Sequence, residues 1–311
     1  MLSVISPKGL WMKFYNYAYE IYEEEGKKIG ELYLQATEWL SSIGLPYSKS
    51  RFGKYKRILD DFGTDIDKGD DGAFKTRLYE FLNAHAEVTE IVRIYNELCE
   101  YSFTDYIDQL KRVTSGQAFR NVSAKDQSRD FAFELTMAAR FIRGGFEVKL
   151  NQLADVIAKR EDTPKIYVEC KRIKSLSKVA TNIKKANEQL KKRLSLDKSS
   201  FPRGLVAINV NDLINPNNNM MLIENVESLQ RINSDNLNQF VQEHEGNFNA
   251  KRFSKNLGVF CEHIDQAFIH ERTPPAVANC RGVKFYQYPA SASELDIISK
   301  LATSLSNQSV F

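Results

Sequence analysis

The hydrophobic positions follow a helical period through the first third of the chain. From Leu10 to about Leu110, apolar residues recur at three- and four-residue steps, as on a helix that buries one face. Stretches rich in Gly, Pro, Asp and Ser at 44–53 and 63–72 predict loops between these helices. The Thr114-Ser115-Gly116 segment indicates a hinge between two domains. We therefore predict an all-helical N-terminal domain over residues 1–115.

After the hinge the pattern changes to strands alternating with helices. A helix is predicted over Lys125–Arg143 and ends at Gly144-Gly145, a typical helix stop. The strands predicted after it are Phe146–Leu150, Leu153–Lys159, Lys165–Arg172, Leu205–Val210, Leu257–Cys261 and Val283–Tyr288. The further helices are Ser177–Leu196, Ser234–Glu243 and Ser293–Leu305. Strands and helices in this order predict an α/β sandwich over residues 116–311.

Composition limits the class of protein. The 311 residues are 42% hydrophobic, which is enough for one large core or two smaller ones. The 43 Lys and Arg against 40 Asp and Glu are too balanced to indicate a polyanionic partner by total charge. No apolar stretch approaches a membrane span, and the start of the chain lacks the pattern of a secretory signal. Four widely spaced cysteines favour reduced thiols, so we expect a cytoplasmic protein without a membrane partner.

A charged pair stands at the end of a strand that is otherwise apolar. Side chains alternate along a strand, so Glu169 and Lys171 point to one face and Cys170 to the other. The neighbouring predicted strand places Asp155 in an apolar run, where a carboxylate needs a compensating cation or donor. A hairpin brings Asp155 beside Glu169. Their carboxylates, with the backbone carbonyl of Cys170, form an oxygen-rich site suited to Mg²⁺, with Mn²⁺ as a substitute.

Two more residues extend this candidate site. Lys171 lies where it can position an attacking water or stabilise charge on a phosphate. Glu134, in the preceding helix, shares its face with the apolar Phe131, Ala138 and Phe141. An acid on a packed face predicts an inward target, so Glu134 is a candidate third carboxylate.

The helix after the strand pair is strongly basic. Eleven basic residues lie between positions 171 and 203, opposed only by Glu188 and Asp197. Such a face attracts phosphates and makes binding depend on salt. The candidate nucleic-acid-binding residues on this helix are Lys178, Lys185, Gln189 and Arg193.

The arrangement of Glu134, then Asp155, then Glu169-Cys170-Lys171 resembles the PD-(D/E)XK nuclease superfamily. The resemblance covers roughly residues 117–210 and departs at Ala154, where the family's proline is replaced. It implies a restriction-endonuclease-like core with a mixed central sheet flanked by helices. It further implies that Asp155 and Glu169 bind the metal, Lys171 assists the nucleophilic water and Glu134 completes the acidic cluster. In some branches of the superfamily a Gln on the following helix supports the site, which brings in Gln189.

The function expected from this resemblance is a Mg²⁺-dependent endonuclease that hydrolyses phosphodiester bonds, with DNA favoured over RNA. A role in antiviral defence against phage or other foreign DNA follows from the habits of the family, which is an argument by analogy. The N-terminal domain would recognise, regulate, oligomerise or bind a partner protein. A homodimer or larger homo-oligomer would supply two sites for cutting a duplex.

Simpler interpretations stand beside each of these. The acid-x-Lys pattern alone is more often an ion pair, the basic helix alone a solvated face, and Glu134 a partner of Arg129 or Arg172. The protein would then be a non-catalytic nucleic-acid-binding or scaffold subunit of a larger defence or repair complex. A zinc site from Cys261, His263, His270 and Cys280 is disfavoured because their spacing is irregular.

Overall fold

The chain divides into a sheet unit and a helical unit. The computed structural model describes residues 3–5, 11–13, 15–22, 26–45, 47–61, 71–101, 104, 106–119, 127–150, 154–199, 201–216, 219–269, 271, 276–306 and 308. The sheet unit comprises Met1–Tyr22 and Arg140–Ser309, and the helical unit comprises Glu23–Ala139 with Val310–Phe311. The division falls within a helix, whereas the sequence predicted a boundary between residues 115 and 116. None of the described helices is long and apolar enough to cross a membrane.

The helical unit is held together around a buried acid. Its helices are α1 (Gly26–Ser42), α2 (Arg51–Asp61), α3 (Asp71–Leu98), α4 (Ile107–Thr114) and the first part of α5 (Ser128–Arg143). Glu87 on α3 accepts a hydrogen bond from Arg129 Nε at 2.6 Å and pairs with Arg51 at 3.0 Å. Two cations from different helices thus compensate one buried carboxylate and fix the three helices together.

The predicted loop at 44–53 is shorter in the structure, because α2 begins at Arg51. Gly53 lies in the first turn of α2, where a Cβ would collide with the backbone of Ser48. The glycine that suggested a loop instead permits this close approach. The other predicted loop, 63–72, lies outside the described residues up to position 70.

The helix predicted to start near Leu10 is wrong at its beginning. The structure has strands β1 (Ser3–Ile5), β2 (Trp11–Lys13) and β3 (Tyr15–Tyr22). The all-helical N-terminal domain therefore does not include these segments. The reason is visible in the sequence of β3, where Tyr15, Tyr17, Tyr19 and Ile21 alternate with other residues. Aromatic and β-branched residues at a period of two favour a strand over a helix.

The sheet unit is built on a mixed, open central sheet with helices. The elements after α5 are β4 (Glu147–Lys149), β5 (Val156–Arg160), β6 (Thr163–Arg172), α6 (Val179–Leu196), β7 (Arg203–Asn209), α7 (Asn211–Ile214), β8 (Met221–Ile223), α8 (Val226–Phe248), β9 (Asn256–Ile269), β10 (Ala276–Gln287) and α9 (Ala292–Leu305). The strand order is β3-β10-β9-β7-β6-β5-β4, with β8 paired to β9. The pairs β4–β5, β5–β6, β9–β10 and β10–β3 are antiparallel, whereas β6–β7, β7–β9 and β8–β9 are parallel.

Helix α6 makes the crossover between the parallel strands β6 and β7. Its predicted apolar stripe is confirmed, because its members are all buried: Val179, Ile183, Ala186, Leu190 and Leu194. They pack in one cluster with Val206 and Ile208 of β7 and with residues of α8. Burying each large aliphatic side chain stabilises the fold by about 1.5–3 kcal/mol, so this stripe fixes α6 against one face of the sheet.

Strands β9 and β10 extend well beyond the segments predicted for them. The strand predicted at Leu257–Cys261 is followed by four polar residues, Glu262, His263, Asp265 and Gln266, which belong to β9 in the structure. In the structure all four of these polar side chains are buried. Side-chain partners compensate them, so burial of polar residues here does not require the strand to end.

Glu262 shows how this compensation works. Its carboxylate pairs with Arg281 at 2.9 Å and with Arg140 at 3.4 Å, and all three side chains are only 1% exposed. Arg140 also donates to the carbonyl of Leu305 at 2.7 Å. One buried carboxylate therefore ties the end of α5 and the end of α9 to the face of the sheet opposite α6.

Replacing Glu262 with Ala would leave two buried guanidinium groups without their carboxylate. We expect Glu262→Ala to lower the free energy of unfolding by about 3–5 kcal/mol. The matched control is Glu147→Ala, since Glu147 and its partner Lys149 on β4 are both exposed, and a loss within about 0.5 kcal/mol is expected there. Urea unfolding measures both. Equal losses in the two variants would contradict the compensating role of Glu262.

The stability of the helical unit should fall in mild acid because of His85. Burial lowers the pKa of His85 to about 4 from its ordinary 6.5. The unfolded chain takes up the proton at the higher value, so this contribution is intact above pH 6.5 and is lost as the pH falls toward 4. The loss amounts to about 3 kcal/mol. Unfolding of wild type and His85→Gln at pH 7.5 and pH 4.5 tests this, and an equal pH-dependent loss in both would refute it.

Candidate functional site

The β5–β6 hairpin brings Asp155 beside Glu169. Val156 pairs with Val168 in antiparallel register, and continuing that register by one residue places Asp155 opposite Glu169. The Cys170 N–H donates to Asp155 Oδ2 at 2.7 Å. This hydrogen bond closes the end of the hairpin and fixes the position of the Asp155 carboxylate.

Lys171 connects the two acids. Its Nζ lies 3.2 Å from Glu169 Oε2 and 3.8 Å from Asp155 Oδ2. The Glu169 side chain is fully buried, whereas Asp155 and Lys171 retain 18% and 20% exposure. The structure thus brings together three of the predicted site residues, with Glu169 at the base and the other two toward solvent.

Arg193 contributes a fourth charged group to the site. It lies on α6, and its guanidinium forms an ion pair with Oε1 of Glu169. Glu169 consequently has a cation at each of its two oxygens. The basic pattern of this helix predicted nucleic-acid binding by Arg193 but not its pairing with Glu169. One signal was available, since Arg193 follows the buried Leu190 by three residues and Ala186 by seven.

The donor set fits a hard divalent cation. Asp155 and Glu169 supply carboxylate oxygens on either side of one ammonium group, so both already face a shared positive charge. In an antiparallel ladder one residue directs its N–H and its C=O toward the same neighbour. The Cys170 carbonyl therefore faces the same side as the N–H that Asp155 accepts. Carboxylate and carbonyl oxygens are the ligands preferred by Mg²⁺ and Mn²⁺.

The oxygen donors gathered here are two carboxylates and one carbonyl. Across the parts of the chain that the structure describes, no three His, Cys, Asp or Glu side chains group as metal ligands. Of the zinc candidates, Cys261, His263 and Cys280 are buried, and residue 270 lies outside the described residues. His263 instead contacts Asp265 at 3.0 Å and Asn211 at 3.2 Å.

Glu134 lies on the part of α5 that belongs to the helical unit and is half-buried. Its role as a third carboxylate stays a prediction. The two arginines considered as its partners have other acids beside them. Arg129 pairs with Glu87 at 2.6 Å, and Arg172 pairs with Asp212 at 2.5 Å.

A polar cluster around Asp197 holds the C-terminal end of α6 against β6. Asp197 accepts hydrogen bonds from Tyr167 Oη at 2.7 Å and Lys165 Nζ at 3.0 Å. Burial acts to raise the pKa of Asp197, but hydrogen bonds from Tyr167, Ser199 and Lys165 outweigh it and hold that pKa well below its usual range. Because Arg193 lies one turn before this anchor, the cluster also fixes where Arg193 meets β6.

The predicted nucleic-acid-binding residues divide into two groups. Lys178, Lys185 and Gln189 are exposed, whereas Arg193 is half-buried against Glu169. Further lysines on the same helix are also exposed: Lys184, Lys191 and Lys192. The outer surface of α6 is therefore open to solvent beside the candidate site. It is here called the basic surface and is formed by five lysines: Lys178, Lys184, Lys185, Lys191 and Lys192.

Comparison with known proteins adds no further constraint. No protein-family model, curated protein or solved structure gives a significant match to the chain.

Proposed function

We propose that this protein is a Mg²⁺-dependent endonuclease of the PD-(D/E)XK type, acting on DNA. The observation that carries the proposal is the joining of Asp155 and Glu169 through Lys171 at the end of the β5–β6 hairpin. A fully buried glutamate costs stability unless it is compensated, and here a second carboxylate, partly exposed, lies beside it. This combination favours a chemical role for the cluster.

The order of elements around the cluster supports the same proposal. Helix α5 is followed by the antiparallel strands β4, β5 and β6, then by α6 and the parallel strand β7. The acid-x-Lys sequence stands near the end of β6, directly before the basic helix. This is the context in which the resemblance to the nuclease superfamily places its metal ligands and lysine.

Each residue of the site has a distinct task in this proposal. Asp155, Glu169 and the Cys170 carbonyl would hold the cation, which when bound supplies Lewis-acid activation of the phosphate and of water. Lys171, with 20% of its side chain exposed, can donate hydrogen bonds to an incoming phosphate oxygen or to the attacking water. Glu169 is fully buried, so bulk water is kept away from its carboxylate and each charge interaction there is stronger.

The basic surface of α6 favours a polyanionic substrate. Its lysines are exposed and adjoin the site through Arg193 on the same helix. DNA rather than RNA, a defence role, action as a homodimer or larger homo-oligomer, and recognition of a partner through the N-terminal domain rest on the family resemblance alone.

A second function is favoured by one observation. Glu169 and Asp155 are balanced by Lys171 and Arg193, so the four groups are formally neutral as they stand. Such a cluster is also what a structural ion-pair network would contain. In that case the protein is a non-catalytic nucleic-acid-binding or scaffold subunit that uses the basic surface without cutting.

Cleavage assays separate these two functions. We expect wild type to cut plasmid or single-stranded DNA with Mg²⁺ or Mn²⁺ and to stop in EDTA. Asp155→Ala and Lys171→Ala should lower the rate at least about a hundredfold, because each removes a group that stabilises the transition state. Asp296→Ala, on the exposed side of α9, is the control that should cut at the wild-type rate. Cutting by both site variants would reject the assignment of these residues, and DNA binding without cutting by wild type would favour the scaffold function.

The basic surface should determine how DNA binding depends on salt. Removing one lysine that binds a phosphate should reduce the slope of log K against log salt by about 1. Lys178→Ala combined with Lys185→Ala is therefore expected to reduce the slope by about 2. Lys300→Ala, on α9 at the opposite face of the sheet, should leave it unchanged. Fluorescence anisotropy at salt concentrations from about 50 to about 200 mM measures this slope. Equal slopes in wild type and both variants would exclude α6 as the binding surface.

A further inference from the structure

Arg193 is the group of the candidate site that comes from outside the hairpin. Asp155, Cys170 and Lys171 are fixed by the pairing of β5 with β6, whereas Arg193 reaches Glu169 from α6. Its side chain is 18% exposed, and Glu169 is fully buried. A partly exposed side chain thus covers a carboxylate that has no solvent contact of its own.

The charges explain why a cation is needed at that position. Lys171 divides its positive charge between two acids, at 3.2 Å from Glu169 and 3.8 Å from Asp155. Without a second cation, one negative charge of the pair would remain uncompensated next to the apolar core. Such a charge is costly in a buried position. Arg193 supplies the missing positive charge at Oε1 of Glu169.

A divalent cation held by Asp155 and Glu169 would compensate the same negative charge. With the cation, Lys171 and Arg193 all present, the cluster would carry four positive charges against two negative ones. Repulsion between like charges at these short distances favours departure of one of the two side-chain cations. Lys171 interacts with both acids from β6, whereas Arg193 reaches Glu169 from α6. The group to leave is therefore Arg193, whose long side chain can turn toward the basic surface.

We propose that Arg193 is a positioning residue that acts as a resident counter-ion of the metal site: it pairs with Glu169 when no cation is bound and is displaced when the cation binds. This inference rests on the proposed function, because it presumes the metal site. The displaced guanidinium lies on the helix that carries the basic surface, where a bidentate donor suits a phosphate. Metal loading would thereby release an arginine to the substrate.

Competition of this kind has a signature that a structural role lacks. Removing Arg193 should weaken the metal-free fold and at the same time strengthen cation binding. Arg193→Gln is therefore expected to bind Mn²⁺ about tenfold more tightly than wild type, because the charge-assisted interaction with Glu169 no longer has to be broken on binding. Its metal-free melting temperature should be lower, and the rise in melting temperature on adding Mn²⁺ should be larger than in wild type.

Isothermal titration with Mn²⁺, together with thermal melting with and without the ion, tests this in the full-length protein. Asp155→Ala serves as the variant without the metal site, and Lys198→Gln as the matched control, because Lys198 is an exposed cation close to Arg193 in the chain and is not one of the lysines of the basic surface. If Arg193→Gln does not fold, Arg193→Lys replaces it. A shorter point charge holds Glu169 less firmly, so the Mn²⁺ affinity of that variant should also exceed that of wild type.

The outcomes separate this inference from the proposed function. Tighter Mn²⁺ binding by the Arg193 variant, with wild-type affinity in Lys198→Gln and none in Asp155→Ala, supports both. Wild-type or weaker affinity in the Arg193 variant, with binding still abolished by Asp155→Ala, overturns the counter-ion role and leaves the metal site standing. Absence of Mn²⁺ binding in wild type and in the Arg193 variant alike overturns both.

Discussion

The central constraint on this protein is the fully buried carboxylate of Glu169. An isolated carboxylate in that position would lose its charge or destabilise the fold, so the surrounding elements have to supply compensation. Lys171 supplies it from the same strand and Arg193 from the crossover helix. Strands β5 and β6 and helix α6 of the sheet unit together place these two cations and Asp155 around Glu169.

The positions of these charged groups depend on the register of β5 with β6 and on the orientation of α6. The antiparallel pairing of β5 and β6 sets Asp155 opposite Glu169, and the Cys170 N–H fixes the aspartate there. The apolar stripe of α6 sets the rotation of the helix, and the Asp197 cluster fixes its end against β6. Together these interactions determine that Arg193 faces inward while the basic surface faces solvent.

A second buried carboxylate compensated by two cations lies on the other face of the sheet. Glu262 is buried between Arg140 and Arg281 and so joins α5 and α9 to the sheet. In the helical unit Glu87 is buried between Arg51 and Arg129. The cluster at Glu169 includes a second acid, Asp155, that remains partly exposed.

The sequence was informative where one pattern dominated. Strict alternation predicted that Glu169 and Lys171 share a face, and the apolar stripe of α6 predicted its buried side. The predicted end of β9 at Cys261 falls too early, because the partners that compensate the buried polar residues after it are distant in sequence. The helical prediction for the start of the chain is wrong, because the alternating tyrosines of β3 are typical of a strand and the helices begin only after them. The pairing of Arg193 with Glu169 joins residues 24 positions apart and depends on helix rotation, which periodicity gives only approximately.

Asp155 and Glu169 are proposed to form a metal site together. Anomalous diffraction from a crystal soaked in Mn²⁺ tests this directly, because the signal locates the ion without reference to activity. We expect a Mn²⁺ peak in contact with carboxylate oxygens of both Asp155 and Glu169, with Arg193 turned away from Glu169. A crystal with no peak at these residues, at Mn²⁺ concentrations that support DNA cleavage in solution, would contradict it.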